Sequence, residues 1–189
     1  MAIITLNNRS INRSDTASAD QVWTATSATA SDFQAAGGIT VADNWRLNAN
    51  DTCDSSETDL DTGWEQVDTT GQGTLGSAMT QSSGVFTFPS TGIYFIRFQI
   101  YYVGSSADFG GITIKHYDGS STYTKIAGGQ TNFPSSKTEM LSTSTLFDCQ
   151  ATATDKVIFY GGGNNNDAVI AGGTSDNRTS VVFIRLGDT

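Results

Sequence analysis

The 189-residue chain sets ten Lys and Arg against 19 Asp and Glu, a formal net charge of −9, which argues against a general affinity for nucleic acid or anionic membranes. Two prolines, 20 glycines and aromatics gathered in short runs favour strands and turns over helices, and the length suits one well-buried domain plus an extension. No apolar run is long enough to span a bilayer, and "MAIITLNNRS" lacks the basic start and apolar stretch of a secretory signal, so a soluble chain is expected.

Residues 1–36 read as an N-terminal arm. "NNRS" is echoed by "INRS", and a Ser/Thr/Ala-rich stretch follows with one tryptophan, Trp23. Such a segment has too little apolar area to pack alone, although "IITL" and "QVWTAT" alternate like short strands that pair when given a partner. Arg9 and Arg13 precede the first acidic residue, Asp15, and put local positive charge at the tip of an acidic protein. An arm that orders when it docks and simple disorder both remain open. "SDFQAAGG" at 31–38 is the best helix candidate, a turn or two with Ser31 as N-cap and Gly37 and Gly38 as terminator.

Residues 37–189 form the second region, and its strand signals repeat from residue 39. "GITVADNWRLNAN", "GWEQVD", "GVFTFP", "GIYFIRFQIYYVG", "FGGITIKHYDG", "STYTKIAGG", "EMLSTSTLFDCQ", "KVIFYGGG" and "TSVVFIRLGDT" each hold alternating or β-branched residues between turn formers. With no helix of crossover length between them, this predicts an all-β antiparallel sandwich or barrel of roughly eight to ten strands. In the run at 82–102, Tyr94, Ile96, Phe98, Ile100 and Tyr102 point one way and make a core face. The opposite face mixes Ile93, Phe95 and Tyr101 with Arg97 and Gln99, neither oily nor properly wet, so something is expected to cover it. The last strand repeats the design, with Val182, Ile184 and Leu186 on one face and Val181, Phe183 and Arg185 on the other.

Chemistry-bearing constellations are sparse. Cys53 and Cys149 lack metal-site spacing and read as two buried thiols, with a disulfide as the alternative. His116, the only histidine, reads as an exposed residue at a strand end. In the acidic segment 50–66, Asp54, Ser56, Thr58 and Glu65 imitate a calcium loop, but Asp59 stands where glycine is required, so a solvated loop is expected. Asp59 and Asp61 give only a faint suggestion of glycoside hydrolysis. "GGGNNNDAVIAGG" at 161–173 reads as a strand-linking loop, and the sequons at Asn8, Asn12, Asn50 and Asn177 follow from composition. No catalytic residue, metal site or cofactor is expected.

"SGVFTFPSTGIYFIRFQI", with Gly84, Phe86, Pro89, Gly92 and Tyr94, resembles the central motif of the C1q-like branch of the C1q and tumour-necrosis-factor jelly rolls. "ATDKVIFYGGG" and "TSVVFIRLGDT" are similar to that family's later strands. More narrowly, "DNWRLNAN", "WEQVD", "FIRLGDT" and the N-terminal "LNNRSINRSDTASADQVWTATSATASDFQ" resemble structural proteins of marine tailed phages. There is no collagen-like stalk, and the segments 49–63 and 104–111 depart from the animal pattern, which leaves that family's calcium site without support.

The resemblance implies a jelly roll that packs as a homotrimer, with Phe95, Tyr101 and Phe183 against neighbouring subunits; packing of these residues within one chain is the alternative. It further implies a non-enzymatic virion protein made in the host cytoplasm, a capsid decoration or cement protein. Arg9, Arg13 and Trp23 of the arm would anchor it to the major capsid protein or another virion protein. The chain shows no sustained heptads or repetitive β-shaft, so a distal fibre fits less well than a compact head and anchor. The rivals are a tail fibre or appendage binding a host surface glycan or protein, and a carbohydrate-binding module using Trp45, Trp64 or Tyr123 as a stacking platform.

Overall fold

The computed structural model describes residues 3–6, 9–12, 21–25, 31–35, 38–53, 57–104, 109–132, 137–163 and 168–189. The regular elements among them are strands: β1 (Ile3–Leu6), β2 (Arg9–Asn12), β3 (Gln21–Ala25), β4 (Ser31–Ala35), β5 (Ala42–Leu47) and β6 (Asp51–Cys53). There follow β7 (Thr58–Asp59), β8 (Trp64–Gln66), β9 (Thr80–Ser82), β10 (Val85–Thr87), β11 (Gly92–Gly104) and β12 (Phe109–Tyr117). The chain ends with β13 (Tyr123–Asn132), β14 (Thr138–Cys149), β15 (Lys156–Gly163), β16 (Ala168–Ile170) and β17 (Ser180–Gly187).

Contacts divide the chain into two units, Met1–Gly38 and Ile39–Thr189. The first holds two antiparallel hairpins, β1 with β2 and β3 with β4. The short helix expected near Ser31 is therefore a strand, with Ser31 opposite Ala25 and Ala35 opposite Gln21. A helix of one or two turns leaves most of its backbone groups unpaired, whereas a strand beside β3 satisfies them. Gly37, one of the two glycines expected as terminator, and Arg13 lie outside the described residues.

The second unit is an antiparallel sandwich in jelly-roll order. One sheet runs β8-β5-β17-β11-β14, with β16 continuing beside β11 beyond β17 and β6 beside β16. The other runs β9-β10-β15-β12-β13, with β7 also on β15. From β10 onward the chain repeatedly changes sheet, which closes the roll around one core. Each of the nine predicted strand segments contains a strand. The strands β6, β7, β9 and β16 arise in stretches that read as loops, and β16 sits within the glycine- and asparagine-rich connection.

The core follows the alternation of β11: Tyr94, Ile96, Phe98, Ile100 and Tyr102 are each fully buried. Phe86 of β10 stands at the centre, with ring centroids 5.3 Å from Trp64 and from Phe159 and 5.4 Å from Phe183. This corrects the parity of the last strand. Val181 and Phe183 face inward, and Phe183 is fully buried, so it is unavailable to a neighbouring subunit. Both parities of "SVVFIRLG" are apolar, so period-two reading alone did not choose the inward one.

The motif glycines have backbone reasons. Gly84 adopts φ 73°, and a Cβ there would meet the Leu60 carbonyl oxygen at 2.5 Å. Gly92 adopts φ 142° and lies where a Cβ would meet the Gly187 carbonyl oxygen at 2.5 Å. Only glycine combines that backbone freedom with such close approach. Two residues on, the Tyr94 hydroxyl donates to the Ser90 carbonyl at 2.9 Å and closes the turn before β11.

Tyr102 ties the sheets together near the other end of β11. Its hydroxyl donates to the Gly111 carbonyl at 2.5 Å and accepts from the Gly162 amide at 2.9 Å, while burial holds the phenol far above its usual titration range. Tyr102→Phe leaves that carbonyl and amide unmet in a dry interior. It is expected to destabilise the unit by about 1–3 kcal/mol, measured by denaturant unfolding.

The "DNWR" segment fixes the start of the first sheet. Asp43 is 2% exposed, and its carboxylate accepts from the Trp45 indole and the Met79 amide at 2.8 Å, from Asn44 N and Gln66 Nε2 at 2.9 Å, and from Thr74 Oγ1 at 3.2 Å. On the other side of β5, Arg46 is 1% exposed and spends its guanidinium on Glu65 at 2.7 Å, Asp68 at 2.8 Å and Thr69 at 2.6 Å. Each buried charge is thus met in part by partners brought from 19 or more residues away, Glu65 for Arg46 and Gln66, Thr74 and Met79 for Asp43.

Candidate functional site

The outer face of the first sheet carries the feature most in need of a function. Antiparallel register aligns Leu146 of β14, Phe95 of β11, Ile184 of β17 and Ala42 of β5 in one row across four strands. Directly opposite residues share a face, so this is a continuous apolar stripe on the side away from the core. Leu146 is 65% exposed and Phe95 and Ile184 are half-buried. A second pair on the same face, Tyr101 and Met140, brings a half-buried ring beside a side chain 55% exposed.

Polar residues interrupt the stripe. Arg97, exposed, stands between Ser144 and Val182, with Asn44 beyond. Gln99 donates to the carbonyls of Asn177 at 2.8 Å and Arg178 at 3.1 Å, anchoring the segment before β17. Beside it opens a cavity of about 470 Å³ lined by Tyr101, Met140, Asp176, Asn177 and Arg178. The Asn44 and Asn177 amides both donate to Gln72 Oε1, and their own carbonyl oxygens are buried with no donor among the described residues.

Of the residues expected at an interface, Phe95 and Tyr101 lie on this face and Phe183 does not. Leu146, Met140 and Ile184 join it and were not anticipated. Their signal was present in "EMLSTSTLFDCQ", where Leu141, Phe147 and Cys149 take the buried parity and leave Met140 and Leu146 outward. Arg9 and Trp23 lie on the backbone hairpins of the first unit, opposite Leu6 and Phe33 respectively.

No catalytic constellation assembles among the described residues. His116 is not a free exposed residue: its Nε2 lies 3.2 Å from Asp155 Oδ1 and its ring packs 5.5 Å from Phe147. Asp155 in turn accepts from the Gln150 and Ala151 amides, each at 2.8 Å, so the pair clamps a turn. The nearby Cys149 thiol is pushed up to about 11, first by burial and then by Asp155 and Asp148, the reverse of what a nucleophile needs. Cys53 is likewise buried, its sulfur 4.0 Å from the Tyr102 hydroxyl, and neither cysteine forms a disulfide.

In the acidic segment, Asp54 and Ser56 lie outside the described residues; no group of three or more His, Cys, Asp or Glu placed for a metal ion occurs among those described. The Asp59 carboxyl is raised, first by burial and then by Asp61, with Lys115 acting in the opposite sense. Of the proposed stacking platforms, Trp45 is bonded to Asp43 and packs its ring edge-on at 5.5 Å from Phe86, and Trp64 is buried. Trp64 belongs to the core and Trp45 packs partly buried against it. Tyr123 alone is open, 47% exposed and stacked on Tyr117 at 4.9 Å.

No family model and no curated protein sequence matches the chain. Solved structures do. A tumour necrosis factor, Eiger from S. frugiperda, aligns over 80% of this chain and 96% of its own at 14% identity, with a TM-score of 0.60. Murine APRIL at pH 5.0 aligns over 77% of this chain and 98% of its own at 14% identity, TM-score 0.57, and its pH 8.0 form at 15% identity, TM-score 0.54. At such identity the likeness speaks for the backbone arrangement alone: this chain has the jelly-roll fold that those proteins share.

Proposed function

We propose that the chain is a non-enzymatic structural protein that assembles as a homotrimer through the outer face of its first sheet. The observation that carries this reading is the row Leu146, Phe95, Ile184 and Ala42, an apolar stripe outside the core of a fold that already has one. A stripe of this kind is stabilised by being covered, and a closed ring of identical copies covers it without leaving an open edge. Tyr101 and Met140 extend the same surface.

The setting we propose is the virion of a tailed phage, where the protein decorates or cements the capsid surface. Residues 1–36, with Arg9, Arg13 and Trp23, would dock on the major capsid protein or another virion component. The likeness of "DNWRLNAN", "WEQVD", "FIRLGDT" and the N-terminal segment to phage structural proteins supports this choice. The division of the chain into two units at Gly38 supports an anchor that is separable from a head. Deleting residues 1–36 is expected to leave a folded, trimeric head that no longer joins particles. Particle reconstruction with the full chain locates it, and density confined to the tail, or normal incorporation of the truncated chain, would overturn the capsid reading.

A further inference from the structure

The second sheet turns a different surface outward. Register places Lys156 of β15, Tyr117 of β12 and Tyr123 of β13 in one row, and Lys115 beside Lys125 in the next. In the row after that, Tyr160 stands opposite Thr113. Three of the four lysines of a chain with net charge −9 therefore share one sheet face with three tyrosines.

Two acids near this face, Glu57 and Asp118, are already engaged. Glu57 pairs with Lys115 at 2.7 Å, and that ammonium also sits 4.0 Å over the Tyr160 ring. Asp118 turns its carboxylate back onto the amides of Ser120, Ser121 and Thr122 at 2.9, 3.3 and 3.1 Å, which holds it well below the usual carboxylate range. Asp59 is paired to Tyr160 at the far edge by backbone register. Lys125 and Lys156 make no ion pair among the described residues.

What remains is a pair of stacked tyrosine rings, the outer one open, with unpaired ammonium groups on two sides. Strands about 4.8 Å apart put Lys156 and Tyr123 about 10 Å from each other, the reach of a short saccharide. A flat sheet face supplies ring surface and point charges. Pyranose C–H edges pack on the ring of Tyr123, and carboxylates on the sugar meet the lysines. The charge complementarity favours an acidic glycan over a neutral one, because Lys125 and Lys156 present ammonium groups outside any ion pair among the described residues.

We propose that the outer face of β12, β13 and β15 is a binding site for acidic, uronate-bearing polysaccharide, centred on Tyr123 with Lys125 and Lys156. The site lies on the opposite side of the sandwich from the self-association stripe and does not depend on it.

The test is titration calorimetry of the full chain with a hexameric oligouronate and with the same oligosaccharide after carboxyl reduction. The intact oligomer is expected to bind at least about tenfold more tightly than the reduced one. Tyr123→Ala is expected to weaken binding about tenfold or more, and Lys125→Gln with Lys156→Gln to weaken it and flatten its salt dependence. Lys137→Gln, in the segment before β14, should leave binding unchanged, and all variants should keep the parent melting temperature. Equal binding of the reduced oligomer, absence of binding, or binding indifferent to Tyr123 would overturn the proposal, the last marking plain ion exchange. Equal competition by polyglutamate would overturn it in favour of an acidic peptide. Light scattering on the same samples reads the oligomeric state, so failure here is distinguishable from failure of the trimer reading.

Discussion

Phe95→Asp is expected to convert the proposed trimer to monomers while leaving the fold intact. Phe95 occupies the centre of the outer stripe, with Leu146 on one side and Ile184 on the other, and contributes nothing to the buried side of β11. A carboxylate there stays hydrated in the monomer, so unfolding should change little. In a trimer it would be taken out of water three times around the ring. Burying an unpaired charge costs several kcal/mol, and even about 3 kcal/mol per contact weakens association more than a hundredfold. Light scattering at micromolar concentration reads the mass, and circular dichroism confirms the strands. A Phe95→Asp protein that remained trimeric with unchanged melting would show that the stripe is covered by something other than a second copy. Tyr101→Asp tests the end of the same face and should act in the same direction with a smaller effect.

Asp43→Asn is expected to be among the most damaging isosteric changes available in the jelly roll. Five donors converge on the Asp43 carboxylate, two of them backbone amides and one the Trp45 indole, and the group is nearly inaccessible to water. An ionised carboxylate only accepts. An amide in its place turns two N–H bonds toward groups that also donate, and the buried Met79 amide among them has no water to turn to. A loss of about 3–5 kcal/mol follows, which for a unit of this size lowers the melting temperature by roughly 10 °C or more. Scanning calorimetry measures it, and the emission of Trp45 reports the local change. A shift of only a degree or two would mean that the loop carrying Thr74 and Met79 is held by other contacts.

Much of the fold was legible because the strongest signal was the simplest. The even-numbered face of β11 alternates without interruption, and each of its five large residues is buried. Phe183 was misplaced for the opposite reason, since Val181 to Ile184 are apolar without a break and the inward parity is chosen by Phe86 and Phe159 from the other sheet. β16 was missed because three residues between glycines look like a loop until β6 and the end of β11 pair with them. Asp43 and Arg46 look like surface residues in sequence; their burial depends on Met79, Thr69 and Asp68, which the fold brings from a later loop. The tyrosine and lysine rows were only partly legible: period two puts Lys115 with Tyr117 and Tyr123 with Lys125 on one face, but their alignment across three strands depends on the register.

The mixed outer face of β11 also bears on how the strand finds its place during folding. A strand with one oily and one wet face is locked in register, because a slip of one residue would drown its core side chains. In β11 such a slip would exchange Phe95 for Tyr94 and Tyr101 for Tyr102 at little hydrophobic cost near the ends, while the middle resists it, because Arg97 and Gln99 would enter the core. At the ends of the strand the locking falls to polar fasteners: the Tyr94 hydroxyl on Ser90, and the Tyr102 hydroxyl between Gly111 and Gly162. Gly92 adds a steric stop against Gly187. By this reasoning the tyrosines that bracket "YFIRFQIYY" are alignment marks, holding the oily ends of the strand in step where Arg97 and Gln99 do not act.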